Sequence, residues 1–157
     1  MIPAYANGIN FTDAQGERFL LESFTCPNAF EADQRAKYNV PVWLYRYFGD
    51  WKNIRLYPDS GAYHGTELEM VFGNSEAVSG IAPSKAEVAT TRLMQHAWAR
   101  FADDPVNGLI ELGWPQYVAG EKTLVEIAKD NKPEIRLVKP EKYDGKCDDV
   151  TLGSLGG

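Results

Sequence analysis

The chain has 157 residues, enough for one domain with a buried core and not comfortably enough for two. Its 44% hydrophobic, 24% charged and 12% aromatic residues are those of a folded globular protein, and its formal charge of -6 argues against a nucleic-acid partner, which needs clustered Lys and Arg. No apolar run approaches the ~18 residues of a transmembrane helix, and residues 1–10 carry neither the basic nor the apolar region of a signal peptide.

In chain order, Asn10-Phe11-Thr12 is an acceptor triplet for glycosylation at Asn10, which matters only in a secretory setting. Thr12-Asp13-Ala14-Gln15 predicts a helix start, with Thr12 as cap and Gln15 reaching back, and Phe19, Leu20 and Phe24 follow at helical spacing. Cys26-Pro27-Asn28 predicts a break, after which Asn28 and Glu31 open a second helix to about Tyr38. Residues 40–48, Val-Pro-Val-Trp-Leu-Tyr-Arg-Tyr-Phe, form the clearest strand, β-branched and aromatic on both faces, with Pro41 among its first residues.

A turn-rich stretch covers 49–61, and residues 66–72 predict a short helix stopped by Gly73-Asn74. Ser84-Lys85-Ala86-Glu87 is a capping box that starts the strongest helix, with Ala86, Thr90, Leu93, Met94, Ala97, Trp98 and Phe101 on one face and Asp103-Asp104-Pro105 at its end. Gly113-Trp114-Pro115 marks a turn onto a surface. Residues 123–128 and 135–138 are weak strand candidates, and the tail 148–157 reads as frayed. One strong strand without evident partners makes a poor independent fold, because its backbone edges would stay unpaired. The pattern therefore predicts a portion of an α/β layer, marginal or aggregation-prone by itself, rather than a small autonomous domain of unrelated role.

Few residues carry chemistry. His64, in Gly61-Ala62-Tyr63-His64-Gly65-Thr66-Glu67-Leu68, is one of two histidines, and a histidine in a loop is ordinarily just solvated or hydrogen-bonded. Glu67 lies three residues on, which could make a ligand pair. A zinc site needs three or four converging ligands, however; the other histidine, His96, sits on a predicted helix surface, and the cysteines are not clustered near either. No metal and no cofactor is therefore expected, and Glu67 is assigned to stabilising the start of its helix. The nearest match to a serine elbow is Gly73-Asn74-Ser75-Glu76-Ala77. An elbow needs a strand before the serine and a helix after it, and here a helix precedes and a loop is expected to follow. Cys26 and Cys147 can be two buried thiols or one long-range disulfide, and composition does not choose between them.

Several segments share an order with a known family. Phe24-Thr25-Cys26-Pro27, Val42-Trp43-Leu44-Tyr45-Arg46-Tyr47-Phe48, the His64 segment and Val71-Phe72-Gly73 come first. They are followed by Met94-Gln95-His96-Ala97-Trp98-Ala99-Arg100-Phe101-Ala102, Asp104-Pro105 and Gly113-Trp114-Pro115-Gln116-Tyr117. Together they resemble the C-terminal third of the type-B carboxylesterases, the cholinesterase and fungal lipase family, over about residues 12–147.

The resemblance implies one partial α/β-hydrolase domain over 1–157, with residues 40–48 as a late sheet strand and His64 as the triad base on the loop after it. It also implies that Cys26 and Cys147 pair, and that the complete family member is extracellular, which gives Asn10 more weight. The oxyanion-hole Gly-Gly segment, the serine elbow and the acidic triad member would all precede Met1. The chain is thus expected to be a fragment of a carboxylic ester hydrolase, inactive alone, whose ester substrate binds only in the complete enzyme. A non-catalytic binding or adhesion relative is the alternative, and an intact His64 weighs against it.

Overall fold

The computed structural model describes residues 13–147. Asn10, the Thr12 cap and the tail 148–157 lie outside them.

The chain enters through helix α1, Asp13–Leu20, which runs through a π-helical turn at Leu21–Thr25 into α2, Cys26–Lys37. The expected break at Cys26-Pro27 is absent: Leu20, Thr25 and Cys26 all keep right-handed helical angles, and the Cys26 N–H donates to the Leu21 carbonyl five residues back. A proline inside a regular helix removes one hydrogen bond and its ring strikes the carbonyl four residues earlier. The wider π turn just upstream relieves that clash, so Pro27 sits in the first turn of α2 without ending the helix.

The strand expected over 40–48 is shorter, β1 at Leu44–Tyr47, and it has partners. Strand β2, Leu124–Ile127, pairs with β1 in parallel, Leu44 opposite Leu124 and Tyr47 opposite Ile127. Strand β3, Ile135–Val138, pairs with β2 antiparallel, Leu124 opposite Val138. The two weak candidates are thus real strands, the order is β1-β2-β3, and the expectation of an isolated strand is corrected. All four residues of β2 are buried, including Glu126.

One sheet face receives α5, Lys85–Asp103, whose capping box forms as expected: Ser84 Oγ accepts the Glu87 N–H and the Glu87 carboxyl accepts the Ser84 N–H. Trp43 packs edge-on against Phe101 and Tyr45 against Trp98, while Met94 and Ala97 join Val125, Ile127, Trp51, Ile54 and Met70 in the core. Trp114 also enters that core, so the Gly113 turn leads inward rather than onto a surface.

The opposite face carries Arg46, whose guanidinium lies 4.3 Å from the Tyr143 ring centre. Beside it the Glu126 carboxyl accepts hydrogen bonds from Lys142 and Tyr143 of α6, Glu141–Asp144. The disulfide Cys26–Cys147, with Cα atoms 5.4 Å apart, ties the start of α2 to the segment after α6. Phe19, Leu20, Phe24, Phe30, Leu68 and Phe72 remain exposed.

Candidate active site around His64

The loop after β1 begins at a close approach. Gly49 is buried, and a β-carbon there would run into the Tyr47 hydroxyl and the Trp51 indole nitrogen, which are themselves hydrogen-bonded at 2.6 Å. Asp50 is gripped from two sides. Arg55 donates to both its carboxyl oxygens at 2.6 and 2.5 Å, and Asn131 exchanges two hydrogen bonds with its backbone at 2.8 and 2.9 Å. The hydrogen bond from Arg55 holds the Asp50 carboxyl below the usual carboxylate range.

Farther along, Asn53 donates to the buried Glu87 carboxyl at 2.9 Å, and the Tyr63 hydroxyl donates to the Ile54 carbonyl at 2.9 Å. With Trp51 and Ile54 in the core, the loop is pinned over residues 50–54 and tied back to them by Tyr63, while Leu56 and Tyr57 between are exposed.

His64 stands at the end of this pinned segment. Gly65 has φ of +85°, which an L side chain rarely adopts, and it turns the chain so that the Thr66 N–H reaches the Tyr63 carbonyl and the Leu68 N–H reaches the Gly65 carbonyl, both at 3.1 Å. Thr66 is buried, and Met70 of α3, Leu68–Phe72, is fully buried and accepts a hydrogen bond from the Thr91 hydroxyl of α5. The backbone flanking His64 is therefore fixed while the imidazole itself is exposed.

Its ring meets Phe24 of the π turn, centroids 5.8 Å apart and planes at 38°. Among the described residues, the imidazole has no hydroxyl or carboxyl partner. Glu67 forms no side-chain cap on α3. Burial first and the Glu67 charge second raise Tyr45, and burial raises Tyr47 strongly.

The remaining candidates lie apart from this arrangement. His96 is exposed on α5. Ser75 is buried and starts α4, Ser75–Ser79, so a helix rather than the expected loop follows it; no strand precedes it, and it is not an elbow serine. A cleft of about 730 Å³ between the α1–π segment and α6 is lined by Arg18, Thr25, Arg46, Lys142 and Tyr143, with His64 not among its walls. It is open and bounded by charged side chains, unlike the enclosed, mostly apolar pocket of a small-molecule site.

Sequence reasoning missed Asn131 and Phe24 as parts of the histidine loop's surroundings. Asn131 lies 81 positions from Asp50 and carried no signal. Phe24 was legible as one of a helical apolar series and as the start of the Phe24-Thr25-Cys26-Pro27 segment, with no sign that it meets His64.

A sequence model of the carboxylesterase family matches residues 13–146. Secreted lipase 5 of Gibberella zeae is 36% identical over 125 residues, covering 78% of this chain and 23% of the lipase. Chlorogenic acid esterase of Aspergillus niger is 30% identical over 138 residues, covering 78% of this chain and 26% of the esterase. Para-nitrobenzyl esterase of Bacillus subtilis is 34% identical over 104 residues, covering 60% and 20%. The chain thus spans about a quarter of the length of the curated relatives it matches.

Proposed function

The chain belongs to the carboxylesterase family, which implies an α/β-hydrolase fold, and on that premise we propose that it is the C-terminal portion of a serine ester hydrolase, contributing His64 as the triad base. The observation that carries this reading is a solvent-facing imidazole at the end of a loop fixed to sheet and helix, within a family match that covers nearly the whole chain.

In the reaction the imidazole takes the serine proton during attack on the ester carbonyl and returns it to the leaving alcohol. The 157 residues contain no Gly-x-Ser-x-Gly segment. On this reading the nucleophile, the acid that orients His64 and the oxyanion donors come from outside this sequence, and the 157 residues alone do not turn over esters. Exposed Leu68 and Phe72 are surface for the rest of that fold to cover. The likeness to a secreted lipase, together with the disulfide, supports an extracellular setting for the complete protein.

Two assays test the proposal. Purified chain should hydrolyse p-nitrophenyl acetate at the buffer rate, and turnover abolished by His64→Ala would overturn the inactive reading. Grafted in place of the matching quarter of Secreted lipase 5, the chain should support hydrolysis that His64→Ala removes and His96→Ala leaves intact. Full activity of the His64→Ala graft would refute the base assignment.

A further inference from the structure

In a regular α-helix, residues five apart point about 140° away from each other and do not meet. In a π turn, whose hydrogen bonds run from i to i+5, they stack one above the other. Phe19 at the end of α1 and Phe24 in the π turn at Leu21–Thr25 are five apart, and across the widened turn their rings meet edge to face at 6.2 Å and 77°. Phe24 then lies between Phe19 and His64, 5.8 Å from the imidazole. Two residues on, Cys26 is buried and bonded to Cys147, which anchors the end of the turn.

Phe24 is 45% exposed and is not part of the hydrophobic core cluster, so its packing within this chain does not account for its placement. Single-turn π insertions recur at functional sites, where they re-aim a side chain.

We propose that Phe24 is a positioning residue for His64: the π turn holds its ring against the imidazole, tilted by 38° at 5.8 Å, and limits rotation of the histidine ring. The proposal rests on the reading of His64 as the triad base and adds how the base is held. An aromatic contact suits that task, because it takes up neither ring nitrogen as a hydrogen-bond partner. One can then meet the serine and the other the orienting acid, whereas a hydrogen bond from the chain would occupy one of them.

The test uses the chain as it is and needs no hydrolysis. His64 and His96 are its only histidines, so His96 serves as internal control. In ¹H–¹³C spectra the His64 ring protons should show a ring-current displacement that Phe24→Ala and Phe24→Leu remove and Phe24→Tyr retains, with His96 unmoved throughout. Relaxation of the His64 ring C–H bonds should report wider fast motion in Phe24→Ala and parent-like motion in Phe24→Tyr, with His96 unchanged.

An unchanged His64 spectrum in Phe24→Leu, or unchanged His64 ring relaxation in a folded Phe24→Ala, would overturn the proposal. If Phe24→Ala unfolds the chain, both histidines move together and the Leu and Tyr variants decide. Failure here leaves the base assignment standing, whereas loss of that assignment in the grafted lipase leaves the ring contact untouched.

Discussion

Glu87→Ala removes a carboxyl that serves two masters. In the sequence it is the N3 residue of a capping box; in the structure it is 1% exposed and also receives Asn53 from the histidine loop. Truncation leaves the Ser84 N–H without its acceptor, worth about 0.5–1.5 kcal/mol, and leaves a half-buried Asn53 amide unpaired, worth about 1–3 kcal/mol. The sum, about 1.5–4.5 kcal/mol, is large against the roughly 5–15 kcal/mol of an ordinary domain. In urea melts followed by Trp fluorescence, with a slope of about 2 kcal/mol/M, it should lower the midpoint by about 1–2 M. Glu87→Gln, which can still accept from Asn53, should lose less. A double-mutant cycle with Asn53→Ala should return a coupling of at least about 0.5 kcal/mol. A Glu87→Ala midpoint within about 0.2 M of the parent, or strictly additive single effects, would refute the reasoning.

Two further outcomes follow from the same structure. Cys26 and Cys147 are 121 positions apart, so reduction or Cys147→Ser should cost up to about 5 kcal/mol by chain entropy; equal urea midpoints with and without reductant would contradict it, as would two free thiols in non-reduced peptide maps of oxidised material. Burial alone would raise the Glu126 carboxyl, but its hydrogen bonds from Lys142 and Tyr143 outweigh this and leave it below 4.5. Its contribution is then complete above about pH 4.5 and lost as pH falls through the lower folded value, so the parent should lose more stability than Glu126→Gln between pH 6 and 3; parallel acid profiles would count against the pairing.

The signals that sequence carried well are local. The box at Ser84 and the apolar face from Ala86 to Trp98 specify α5 because capping and helical periodicity involve residues three or four apart. The order of short segments along the chain was enough for the family likeness, and through it for His64 as the candidate base and for the pairing of Cys26 with Cys147, which the structure contains.

Longer-range effects overruled the local reading elsewhere. Residues 123–128 read only as a weak strand candidate; within them 124–127 form the middle strand, where Lys142 and Tyr143, sixteen and seventeen positions beyond Glu126, satisfy its carboxyl inside the fold. Pro27 reads as a helix stop, yet a π turn upstream carries the chain through it and aims Phe24 at a histidine forty positions away. A buried charge needs a partner and a ring contact needs two surfaces, and in each case the second group comes from a distant part of the chain. Capping and periodicity could be read from sequence alone; the central strand and the setting of His64 were decided only when the chain had packed.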